Sequence, residues 1–362
     1  MIKFLELVGF KGNLDVDIKN AFDEVLEKGV FVNGMNVSEF ESSFRNISNS
    51  EYCISCGNGM DALTILLKSL NLQHNSEVLV PAQTFIATFF SIIHAGLIPV
   101  PVDVNEADCL MSLDDAEKRV TNKTSALVFV NMFGFGGSHK ELDDFCNAKG
   151  LKLVYDSAQS HLTEYNNELL SSVGSHAVSF YPGKNLGALG DGGAILTDKK
   201  DIYNFCFKYR NYGSSKKYVH DIVGVNSRLD EIQAAFLRKK ITKLSEWTNK
   251  RRDQAESYLS KINNKKIKLP IVNPRLKPSW HIFPIRVSNR DAFQSYMLDK
   301  GVETLIHYPE APVRSQSLLQ YKYDLDSFPK ALDWEQTEVS IPIGPHLGNE
   351  SIQKIINVIN EF

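Results

Sequence analysis

Along roughly the first 230 residues, short apolar runs alternate with stretches of helical period. The pattern predicts strands at 51–55, 77–81, 98–103, 125–130, 151–156 and 177–180. Between them it predicts helices from about residue 62, then over 85–95, 112–120 and 140–148. The 98–103 run carries Pro99 and Pro101, which cannot donate to a ladder, so it reads as an edge strand. Strands and helices alternating at this spacing imply an α/β fold with a mostly parallel sheet covered on both faces. Ligands of such sheets sit beyond the carboxyl ends of strands, where Pro81, Asp156 and Tyr181 fall.

From residue 227 to about 262 the pattern is almost uninterrupted helix, charged on one side and free of proline and glycine. A helix that long predicts a link between a large domain, 1–235, and a smaller α/β domain, 236–362. The smaller part shows strand-like text at 280–287 and helical text at 291–300 and 351–361.

Composition sharpens the class only by exclusion. A net charge of -3 supplies no general pull toward nucleic acid or an anionic membrane. No stretch approaches the roughly 20 apolar residues of a spanning helix. The opening Met1 to Glu6 lacks signal-peptide features, so a cytoplasmic protein is expected. Cys53 and Cys56 have CxxC spacing, but no second ligand pair exists, and they read as two free thiols rather than a metal site.

The chemistry concentrates in Ser179 to Gly193, which delivers Lys184 into a turn of glycine and small residues. A lysine so placed can form a Schiff base with a carbonyl, and pyridoxal phosphate (PLP) is the commonest carbonyl cofactor. Taken alone, Lys184 reads equally as a solvated loop residue. Asp156 ends a predicted buried strand, where a carboxylate can pair with a protonated pyridine nitrogen or simply cap the next turn. Gly57-Asn58-Gly59-Met60-Asp61 leads into a helix, the form of a phosphate cradle, although Asp61 could serve only the first turn. Ser179 adds a hydroxyl, and Phe85 is either a stacking ring or core. A P-loop does not fit, because Val178 and Asn185 stand where it needs Gly and Ser or Thr.

Together these motifs resemble the DegT/StrS family of nucleotide-sugar aminotransferases, which have the aspartate-aminotransferase (type I) PLP fold. The matching text includes residues 29–34, 57–63, 81–88, 156–161, 180–193 and 226–235, and His307-Tyr308-Pro309. The resemblance implies Lys184 as the cofactor-linking lysine and Asp156 as the pyridinium partner. It puts Gln159 on the ring's phenolic oxygen, Phe85 on the ring face, and Gly59, Met60 and Ser179 on the phosphate. Asn226 would reach the phosphate from the neighbouring subunit, which implies a homodimer. Tyr181, Tyr218, His220, Arg228, His307 and Tyr308 become candidates for the sugar nucleotide, with His220 and His307 read equally as structural histidines.

Some positions depart from the family text. Ser157 and Ser160 replace usual alanines, and Leu162-Thr163 a usual Gly-Ala. The implied reaction transfers an amino group from glutamate to a keto sugar, the wording being most similar to the branch acting on dTDP-3-keto-6-deoxyhexoses for O-antigen, S-layer or antibiotic sugars. A 4-keto or UDP-linked 3-keto sugar stays open. Dehydratase members carry histidine in place of Lys184, and a silent PLP-fold sensor would not need the intact set.

Overall fold

The computed structural model describes residues 1–7 and 13–362. Seven strands form the main sheet: β1 (Tyr52–Cys56), β2 (Glu77–Pro81), β3 (Ile98–Val102), β4 (Thr124–Val130), β5 (Lys152–Asp156), β6 (Ser175–Ser179) and β7 (Gly193–Thr197). Their spatial order is β1-β7-β6-β5-β4-β2-β3. The pairs β6–β5, β5–β4, β4–β2 and β2–β3 are parallel, and only β7 runs antiparallel to its neighbours β6 and β1. Every position of β6 and β7 is buried, so both faces are covered, as a mostly parallel sheet requires. The proline-bearing β3 lies at the edge, where a missing N–H costs no ladder bond.

The predicted helix over 227–262 is shorter and broken. It runs as Glu231–Lys240, a 3-10 turn Ile241–Lys243, and Leu244–Lys261. Residues before Glu231 are held extended instead: Asn226 bridges Asn211, and the Ser227 hydroxyl is drawn to Gly57 and Asp61. The pinch follows β-branched Ile241 and Thr242, whose hydroxyl bonds the Lys239 carbonyl at 2.8 Å.

Beyond it, β8 (Ile267–Lys268), β9 (Phe283–Val287) and β10 (Glu338–Ile341) form a three-stranded antiparallel sheet with β9 in the centre. The strand predicted from residue 280 starts at Phe283, because Trp280 takes a left-handed backbone. Leu305 pairs with Ser340 at the edge of this sheet, and Ile2 bridges Val302. One apolar core, including Val128, Trp280, Phe283 and Ile355, runs from the large sheet into this part. Cys53 and Cys56 lie in β1 as free, buried thiols. Among the described residues no group of side chains suits a metal, and no helix is long and apolar enough to cross a membrane.

Candidate active site

Strand register brings the distant motifs together. Gly193 of β7 pairs with Cys56 on one side and Ser179 on the other. Residues 57–59, which follow β1, are thereby set against the end of β6. The approach is close enough to dictate glycine: a Cβ on Gly59 would lie 2.7 Å from the Ser179 Cβ, and one on Gly193 would collide with the Asn58 carbonyl. Asn58 caps the Gly59–Ser69 helix, its Oδ1 accepting from the Asp61 amide at 2.8 Å. The amides of Gly59 and Met60 have no partner among the described residues and sit at the positive end of the helix dipole. The Ser179 hydroxyl oxygen accepts from the Tyr181 amide at 3.2 Å, leaving its own proton to donate.

The turn that carries Lys184 is pinned at several points. Phe180 N donates to Gly192 O at 2.7 Å and Ala188 N to Phe180 O at 2.8 Å. Asn185 Nδ2 donates to Ser279 O at 3.0 Å, and Lys240 Nζ to Gly187 O at 2.6 Å. Phe180 anchors the base of the turn edge-on against Phe40 and Phe44, with ring centroids 5.2 and 5.1 Å away. Burial lowers Lys184 to about 8, the charge of Asp156 pulling the other way. The Asp156 carboxyl is raised by burial, opposed by hydrogen bonds from Thr88 and Ala158 and by Lys184. Thr88 Oγ1 donates to Asp156 Oδ2 at 2.8 Å, and the Ala158 amide to Oδ1 at 3.2 Å. Thr84 Oγ1 lies 3.0 Å behind Thr88. Sequence reasoning missed Thr88; the signal was the Thr84/Thr88 pair, one helical turn apart, within a motif already quoted.

Gln159 is fixed at both ends of its amide. Its Oε1 accepts from Phe133 N at 2.6 Å and its Nε2 donates to the Tyr308 hydroxyl at 3.0 Å. Tyr308 in turn lies 5.1 Å from Phe85, ring to ring, and Phe85 is half exposed. Tyr308, expected among the sugar contacts, therefore sits with the two residues expected at the cofactor ring. His307 bonds Ser340 Oγ through Nδ1 at 2.8 Å and stacks on Phe4. Burial, helped by the Lys184 charge, lowers it to about 3, so its ring is neutral near pH 7.

The remaining candidates form a second group, exposed except for half-buried Arg228. Asn226 is exposed; Arg228 donates to Asn211 Oδ1 at 3.1 Å and lies over the Tyr212 ring. Tyr218 and His220 belong to a short hairpin, Ser214–Lys216 with Val219–His220, where His220 Nδ1 is 2.9 Å from Tyr212 O. No contact among the described residues joins Tyr218 or His220 to Lys184. Ser227 links this group to the cradle: its hydroxyl accepts from Gly57 N at 3.0 Å and donates to Asp61 Oδ2 at 2.6 Å. Tyr181 is 59% exposed, open to a large ligand or another chain. The polar departures near Asp156 turn inward: Ser157 meets Asn131 and His176, and Thr163 donates to Gly134 O.

Comparison with known proteins supplies the family and the fold. The chain is 34% identical over 363 residues to dTDP-3-amino-3,4,6-trideoxy-alpha-D-glucose transaminase of Streptomyces venezuelae, covering all of this chain and 96% of that one. It is 36% identical over 363 residues to dTDP-3-amino-3,6-dideoxy-alpha-D-galactopyranose transaminase of Aneurinibacillus thermoaerophilus, covering 100% and 99%. A crystal structure of S. venezuelae DesV in complex with a ketimine intermediate superposes with a TM-score of 0.97 at 34% identity, over 99% and 98% of the two chains. The fold is thus the type I fold of PLP enzymes. Residues 13–360 match the DegT/DnrJ/EryC1/StrS aminotransferases as a family, whose members depend on PLP. The chain belongs to the DegT/DnrJ/EryC1/StrS aminotransferase family.

Proposed function

We propose that this aminotransferase moves an amino group from glutamate to the 3-keto group of a dTDP-linked 6-deoxyhexose in deoxyamino-sugar biosynthesis, working as a cytoplasmic homodimer. The observation that carries the reading is that Lys184 and half-buried Asp156 feel each other's charge beside a helix start that offers two free amides and a serine hydroxyl. These groups fit PLP: two amides and a hydroxyl for a phosphate, a carboxylate for a ring nitrogen, an amine for a carbonyl. When bound, PLP supplies an electron sink for carbon–hydrogen bond breaking next to the transferred nitrogen.

The protein's own residues do the rest. Gly59, Met60 and Ser179 hold the phosphate, and Phe85 covers the ring. Gln159 orients the phenolic oxygen, its amide fixed by Phe133 and Tyr308. Asp156, supported by Thr88, keeps a proton on the ring nitrogen. Lys184, with a pKa near neutrality, carries a proton from the donor carbon and returns one to the product side as general acid–base. Asn226, Tyr218, His220 and Arg228 act across the dimer, Asn226 on the partner's phosphate and the others on the sugar nucleotide. The exposure of Asn226, Tyr218 and His220, and the lack of any contact from Tyr218 or His220 to Lys184 among the described residues of one chain, support that division. Tyr181 and His307 complete the sugar side. The similarity to dTDP-3-amino sugar transaminases supports the nucleotide and the keto position.

The test mixes PLP-loaded protein and glutamate with dTDP-3-keto, dTDP-4-keto and UDP-3-keto sugars and identifies the amino sugar formed. Amination confined to the dTDP-3-keto sugar is the expected result. Preference for either other sugar overturns the substrate assignment, and retention of turnover by Lys184→Ala overturns the mechanism.

A further inference from the structure

Behind His307 lies a buried polar chain that the transamination chemistry leaves unused. Glu338 and Ser340, both on β10, have no solvent exposure. The His307 backbone amide donates to Glu338 Oε2 at 2.6 Å. The Ser340 hydroxyl lies 2.5 Å from Glu338 Oε1, and Ser340 Oγ lies 2.8 Å from His307 Nδ1. Paired backbone bonds between Leu305 and Ser340, at 3.1 and 2.8 Å, hold the two segments in register. His307 Nε2 has no protein partner among the described residues, so it is the nitrogen left for a ligand.

We propose that Glu338 and Ser340 are positioning residues that decide which nitrogen of His307 carries the proton, and so whether Nε2 meets the sugar nucleotide as a donor or an acceptor. The inference rests on the reading that His307 faces the sugar. The logic is hydrogen-bond accounting along a chain with one fixed end. The backbone N–H commits Oε2 as an acceptor in either charge state. When Glu338 is ionised, Oε1 must also accept, so Ser340 donates to it and Oγ accepts from Nδ1–H. Nε2 is then bare. When Glu338 is protonated, the proton on Oε1 is donated to Ser340 Oγ. Ser340 then donates to Nδ1, and Nε2 carries the hydrogen. A keto oxygen can only accept, so the protonated state is the one that binds a keto sugar.

The surroundings favour that state near neutral pH. Burial raises Glu338 to about 8, opposed by the Ser340 and His307 bonds and by Arg290. Arg290 donates to the Glu335 carbonyl, and Arg286, paired with Glu338 across the sheet, is engaged by Asp333. The Cys109 thiol and the Tyr308 hydroxyl, both held neutral by burial, also feel Glu338. Lys184 faces His307 and disfavours a second proton on it, while the neighbouring His281 ring is itself held neutral by burial. A neutral ring with a selectable tautomer results.

Nitrogen-15 solid-state spectra of histidine-labelled, PLP-loaded protein test the relay directly, His307→Gln identifying the signal among nine histidines. In the wild type the proton is expected on Nε2 at pH 6.5 and on Nδ1 at pH 9.5. Glu338→Gln, whose amide donates to Ser340 and accepts from the His307 amide, is expected to keep Nε2–H across the range. Ser340→Ala is expected to abolish the switch. With the carboxyl titrating near 8, about one-tenth stays protonated at pH 9. Relative to Glu338→Gln, wild-type kcat/KM for the keto sugar should therefore fall about tenfold between pH 7 and 9, the Lys184 titration being common to both. A wild-type tautomer that does not change, or a Glu338→Gln signal that switches as the wild type does, overturns the relay while leaving His307 as a sugar contact. A normal switch in a protein whose kcat/KM is unaffected by His307→Gln overturns the substrate role instead.

Discussion

Thr88→Val isolates one hydrogen bond to the group that governs the electron sink. Valine keeps the shape of threonine, and the site is buried, so packing is nearly preserved while the donor to Asp156 Oδ2 is removed. A hydrogen bond to an ionised acceptor contributes about 1.5–3 kcal/mol. The Ala158 amide still serves the other oxygen, which places the loss near the lower figure, about 1.5 kcal/mol. The sign follows from what the bond favours. It stabilises the carboxylate, so its loss makes Asp156 a better proton acceptor and a poorer partner for a protonated ring nitrogen. At about 1.4 kcal/mol per tenfold, the first-order rate of the glutamate half-reaction should fall about tenfold. Stopped-flow absorbance reads that rate, and a PLP titration should show affinity within about twofold of wild type, because the phosphate contacts lie elsewhere. A Thr88→Val protein that melts normally, binds PLP normally and reacts within twofold of wild type would refute the coupling of Thr88 to catalysis.

Further outcomes follow from other parts of the site. Gly59→Ala brings a methyl within 2.7 Å of the Ser179 Cβ and should weaken PLP binding at least tenfold by fluorescence titration; unchanged affinity would remove the cradle from the phosphate. Loading of PLP onto the apoprotein needs the neutral amine, so its rate should rise with pH to half its maximum near pH 8 rather than above 10. Asp156→Asn should shift that midpoint lower, since Asp156 raises Lys184, and a midpoint that moves higher would contradict the pairing. His161 and His176 are buried and lowered to about 3, so the unfolded chain takes up protons that the folded one does not once the pH drops below about 6.5. Their stabilisation is complete above that pH and declines toward 3, by about 1.4 kcal/mol per pH unit for each ring. Urea melts of the apoprotein at pH 7 and 5 should show the decline, and equal stability at the two would show that neither ring is held neutral.

What the sequence made legible was whatever one segment declares by itself. Period-2 and period-3.6 patterns located six of the seven main-sheet strands to within a few residues and missed β7, Gly193–Thr197, while two prolines identified β3 as an edge because a missing N–H is a local fact. Lys184, Asp156 and the Gly57–Gly59 turn were readable because each lies at the junction of a strand with a turn. The contacts that tune them were not, since they depend on packing between segments far apart in the chain. Thr88 reaches Asp156, at a strand end, from the Ile86–His94 helix, and Ser227 reaches Gly57 and Asp61 from 170 and 166 residues away in the chain. The second of these also explains the late start of the helix predicted from residue 227. Residues 227–230 have helical composition, yet Ser227 gives its hydroxyl to the cradle and Asn226 its backbone to Asn211, so the chain stays extended until Asp230. A helix starting at 227 would withdraw both contacts and pull Asn226 off the surface where a second subunit could meet it. The shortened helix is therefore part of the proposed shared site, and loosening it by Ser227→Ala should weaken cofactor binding and dimerisation together.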